Sequence, residues 1–93
     1  MSGKENDELI SFPCDFPIKI IGEITKEAEL FEQEILSIAH KHHPELAEDR
    51  VSKRLSNGGN YLAITITVKA QSQEALDALY ADLIKHPKAK MVL

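Results

Sequence analysis

Residues 56–68 read Ser-Asn-Gly-Gly-Asn-Tyr-Leu-Ala-Ile-Thr-Ile-Thr-Val, a turn that opens directly into a two-residue alternation. Asn and Gly tolerate positive φ, so the turn predicts a hairpin. In the strand that follows, Leu62, Ile64, Ile66 and Val68 share one face, and Tyr61, Ala63, Thr65 and Thr67 share the other. Such a strand belongs to a sheet with one buried face and one open face. Its register is fixed, because a slip of one residue would turn every apolar side chain outward.

The rest of the chain supplies partners for that strand. Residues 18–22 (Ile-Lys-Ile-Ile-Gly) predict a first strand, with Ile18 and Ile20 inward and Lys19 and Ile21 outward. The segment before it, residues 12–17, is too rich in proline for a helix. Thr25 is placed to cap a first helix that runs to about His42. Phe31, Ile35, Ile38 and His42 recur at helical spacing along it, and Pro44 stops it. Residues 44–49 form a loop with room for one irregular helical turn. Residues 50–56 predict a second strand, and the alternating strand is the third, ending near Ala70. Ser72 caps a second helix whose apolar stripe is Leu76, Leu79, Tyr80 and Leu83, closed by His86-Pro87. Residues 88–93 form a last strand.

The order βαββαβ is the split βαβ pattern of an α+β, ferredoxin-like two-layer sandwich. That topology gives an antiparallel sheet of order 4-1-3-2 with both helices on one face. The two most apolar strands, the first and third, are then central. The outer strands carry Arg50, Lys53, Arg54, Lys88 and Lys90, charges that discourage edge-to-edge pairing. The 93 residues make one domain, expected over residues 9–93 behind a flexible acidic tail at residues 1–8. A single cysteine, Cys14, permits no internal disulfide and suits a cytoplasmic setting. No apolar run reaches the length of a membrane span.

Composition and motif content favour a non-catalytic protein. No phosphate-binding glycine loop, nucleophile elbow or CxxC pair is present. Gly58 and Gly59 serve the hairpin turn. Cys14 reads as a partly covered structural thiol. His40, His42 and His43 at the end of the first helix complement the negative end of its dipole. Zinc needs three or four ligands and these offer no complete set, so no metal and no other cofactor is expected. Glu27, Glu29, Glu32 and Glu34 read as a solvated acidic helix face.

The surface of most interest is the sheet face without helices. Alternation places Lys19, Ile21, Ser52, Arg54, Tyr61, Ala63, Thr65, Thr67, Lys69, Lys90 and Val92 on it. The candidate interaction residues are Lys19, Ile21, Arg54, Tyr61, Thr65 and Lys90. A net charge of −4 and a lone aromatic on this face argue against nucleic acid, since RNA-binding sheets of this topology stack bases on two or three aromatics. A second copy of the chain or another cytosolic protein is the expected partner. The alternative is a small-ligand sensor of the ACT type, which would bind an amino acid or small carboxylate beside Gly22 at a dimer interface.

Phe12-Pro13, Phe16, Lys19, Gly22, Gly59-Asn60-Tyr61, Ile64-Thr65-Ile66 and Met91-Val92-Leu93 stand in an order and spacing that resembles the YbeD-like family of small bacterial proteins. The resemblance extends from Leu9 to Leu93. It implies a ferredoxin-like fold akin to ACT domains and carries no catalytic residue and no assigned function. The acidic tail and the histidine group at residues 40–43 are departures from the family pattern.

Overall fold

The computed structural model describes residues 11–23 and 28–93. The expected acidic tail, Leu9-Ile10, the Thr25 cap and Glu27 lie outside these residues. Strand β1 spans Cys14–Glu23, helix α1 Ala28–His42, β2 Val51–Leu55, β3 Tyr61–Ala70, α2 Gln73–Ile84 and β4 Ala89–Val92, with a short 3-10 turn at Glu48–Arg50 before β2. The sheet order is β2-β3-β1-β4, all neighbours antiparallel, as the sequence predicts.

The central pair is β1 with β3, in unbroken register from Cys14 opposite Ala70 to Glu23 opposite Tyr61. Ile18, Ile20, Ile64 and Ile66 on its inner face are fully buried. Each such side chain contributes roughly 1.5–3 kcal/mol over leaving it in water. A one-residue slip of β3 would turn Leu62, Ile64, Ile66 and Val68 outward, at a cost of roughly 6–12 kcal/mol, about the whole stability of a typical domain. Phe31, Ile35 and Ala39 of α1 and Leu76, Leu79 and Leu83 of α2 complete the core. Phe12 and Phe16 pack against its margin. The α2 cap forms as expected, Ser72 Oγ accepting from the Ala75 N–H at 3.1 Å.

Three boundaries differ from the sequence reading. Strand β1 starts at Cys14 rather than residue 18 and runs through Pro17. Proline is tolerated there because Lys19 exchanges both backbone hydrogen bonds with Leu93, on the β4 side. By alternation the Pro17 nitrogen points the same way, past the end of β4, where no ladder bond is lost. Arg50 closes the 3-10 turn instead of opening β2. Finally, β4 shifts register against β1 between Ile21 and Gly22. This irregularity inserts one residue, so Met91 stands opposite Ile21 and Val92 opposite Ile20. Val92 therefore packs on the core side, and Met91 takes the place on the open face expected for Val92.

Candidate functional site

The open sheet face is built in cross-strand rows. One row runs Met91, Ile21, Ala63, Arg54, and the next brings Lys19, Thr65 and Ser52 together. Tyr61 lies opposite Glu23 at the end of β3. Of the expected interaction residues, Lys19, Ile21, Arg54, Tyr61 and Thr65 share this face. Lys90 sits at the irregularity and binds Glu23, Nζ to Oε1 at 3.3 Å. Ile21 and Ala63 are half-buried, whereas Met91 is 50% and Tyr61 42% exposed. Ile21, Ala63, Tyr61, Arg54 and Leu55, with Ser56 and Asn57, line a shallow hollow of about 290 Å³.

The electrostatics of the face are uneven. Its two carboxylates are both engaged, Glu23 with Lys90 and Asp15 with Arg50 at 3.2 Å. Lys19, Arg54 and Lys69 have no ion-pair or hydrogen-bond partner for their side chains among the described residues. Two free cations, Lys19 and Arg54, thus adjoin the apolar row, and the third, Lys69, lies farther along β3. Sequence alternation brings all three to this face. Met91 was not among the residues expected there, because nothing in the sequence signals the register shift that turns it outward.

Gly22, expected at the end of the first strand and beside a small-ligand site, is not at a strand end. It lies inside β1 on the core side, beneath the Phe31 ring. A Cβ on Gly22 would fall among the ring carbons Cζ, Cε1 and Cε2, with Cε2 at 2.6 Å. The glycine thus admits Phe31 to the core, and its own chain fills the space above it. Cys14 is partly covered, paired with Ala70 at the start of β1.

Each histidine has a protein partner beyond the helix dipole. His40 Nε2 donates to the Leu46 carbonyl at 3.1 Å, and His42 Nε2 to Asp82 Oδ2 at 2.7 Å, tying α1 to α2. His43 is buried, with Nδ1 3.3 Å from Glu45. His86 stands edge-on to Phe31, ring centroids 5.3 Å apart, and donates from Nε2 to Glu34 at 2.6 Å. The Lys88 N–H donates to His86 Nδ1 at 3.1 Å, which fixes the Nε2–H tautomer of the neutral ring. Among the described residues no group of three His, Cys, Asp or Glu side chains is arranged to hold a metal. The acidic face of α1 is more than solvated: Glu34 holds His86, and Glu32 holds Lys53 at 3.0 Å. The hydrogen bond from His42, aided by Lys41 and Lys85, keeps the Asp82 carboxyl below its ordinary range. No helix among the described residues is long and apolar enough to cross a membrane.

Fold and face together define a small ferredoxin-like α+β domain with one side of its sheet uncovered by the described residues. Residues 7–93 match the family described as "Protein of unknown function (DUF493)". The chain belongs to this family, and its relatives are the UPF0250 proteins, the YbeD-like proteins of bacteria. It is 44% identical over 88 residues to a UPF0250 protein of Paraburkholderia phytofirmans, covering 95% of this chain and 96% of the relative. It is 46% identical over 89 residues to one of Chromobacterium violaceum, covering 96% and 97%. The solution structure of protein HP0495 from H. pylori has a similar fold, with a TM-score of 0.68 over 90% of this chain and 85% of that one at 10% identity.

Proposed function

We propose that this protein is a non-catalytic regulatory module of the cytosol that works by binding another protein through the open face of its sheet. The observation that supports this is the charge pattern of that face. Its acids are neutralised by Arg50 and Lys90, while Lys19 and Arg54 stand free beside Ile21, Ala63 and Met91, and Lys69 stands free farther along β3. Free cations beside exposed apolar groups are the composition of a docking surface: the apolar centre supplies affinity and the charges supply orientation.

The experiment places a photo-cross-linking phenylalanine analogue at Tyr61, on this face, and at Gln73, exposed on α2. In living cells, position 61 should yield a discrete heavier species and position 73 should not. Lys19→Glu with Arg54→Glu should abolish that species while circular dichroism shows an unchanged fold. Equal cross-linking from both positions, none from position 61, or persistence in the charge-reversed variant would overturn the reading.

A further inference from the structure

We infer that the partner segment is an acidic amphipathic helix that sets carboxylates about 12 Å apart on either side of an apolar residue, an inference that rests on the docking reading above. The spacing comes from the sheet. Arg54 lies opposite Ala63, Ala63 lies opposite Ile21, and Lys19 is two residues along β1. Strands about 4.8 Å apart that rise about 3.4 Å per residue put the Lys19 and Arg54 Cα atoms about 12 Å apart. Lys69, opposite Asp15, is one strand over and four residues along from Lys19, about 14 Å away. A helix rises about 1.5 Å per residue, so carboxylates about seven or eight residues apart lie on one face at that separation. The residue midway between them falls over β3 between Ala63 and Thr65, with Ile21 beside it on β1.

Charge also decides against the obvious competitor. Two copies of this chain joined face to face would enclose the three free cations of each with no free acid among the described residues of the face to meet them. Like charges brought into one gap repel, and the sheet's own anions are already engaged. A second copy is therefore a poorer occupant than an acidic partner.

The test uses the full chain, labelled with 15N, and two synthetic alanine-rich peptides of identical composition. In the first, glutamates seven residues apart flank leucines on one helix face. In the second, the same glutamates point to opposite sides. The first peptide should give saturable shift changes at Lys19, Ile21, Arg54, Ala63 and Met91, and the second should bind about tenfold more weakly. Lys19→Glu with Arg54→Glu should weaken the first by about tenfold or more, and Lys19→Arg with Arg54→Lys should retain it. Equal binding of both peptides, changes mapping to the helices, no binding, or self-association through this face would each overturn the inference. Cross-linking from position 61 to a segment that is not acidic would sink the inference and leave the docking reading standing. Failure of all cross-linking from that position removes both.

Discussion

Replacing Gly22 by alanine puts a methyl group where the Phe31 ring already is, with Cζ, Cε1 and Cε2 all too near for an unstrained contact. Both residues are fully enclosed, so the ring has no solvent side to swing into. Overpacking of this kind costs about 1–3 kcal/mol. Alanine returns about 0.4–1 kcal/mol by stiffening the unfolded chain, since Gly22 does not hold a positive φ. The net expectation is a loss of about 1–2 kcal/mol, or roughly 4–16 °C in Tm for a domain this size. Phe31→Leu provides the control, because leucine lacks the three ring atoms that the new methyl meets. In that background Gly22→Ala should be neutral or stabilising by about 0.5 kcal/mol, a coupling of about 2 kcal/mol between the positions. Urea unfolding of the four proteins measures it. An equal penalty in both backgrounds would show that Gly22 is needed for something other than room for Phe31.

Two further predictions concern the helices. Ser72→Ala should cost about 1 kcal/mol by removing the cap acceptor of the Ala75 N–H, and Ser72→Asp should restore most of it; an unchanged midpoint in thermal unfolding would refute the cap's role. Asp82 has a folded-state pKa below its ordinary value of 3.8, so its contribution to stability is complete above that value and is lost as the pH falls through the lowered one. Asp82→Asn should flatten the stability profile in that acidic window, and parallel curves for the two proteins would count against the His42–Asp82 link.

The alternation at residues 61–68 made the sheet legible because only one register buries Leu62, Ile64, Ile66 and Val68 together. The charges on β2 and β4 then identified the edges, and the order of elements identified the topology. What stayed hidden depends on contacts between distant segments. Residues 12–17 read only as too rich in proline for a helix, and a place for Pro17 inside a strand emerges once the extent of β4 is known. Gly22 reads as a strand end beside a ligand site until Phe31 is seen above it. The histidines at residues 40–43 read as a dipole cap, yet His42 reaches Asp82, forty residues on. The free cations of the open face were legible by period two. The pairing of its acids, which leaves those cations uncompensated, was not.

The strand order β2-β3-β1-β4 has a consequence for how the chain can be divided. A cut in the turn at Gly58 leaves β1, α1 and β2 on one piece and β3, α2 and β4 on the other. Every pairing in the sheet, β2 with β3, β3 with β1 and β1 with β4, then crosses between pieces. Neither half holds a single strand pair of its own, so neither has a sheet on which to lay its helix. On a ribosome, the first half waits with Ile18, Ile20 and Ile21 unpartnered until β3 has emerged. Reunion of the two halves would require them to interleave strand by strand, the property a split reporter needs if it is to be dark in pieces and fold only when both are present.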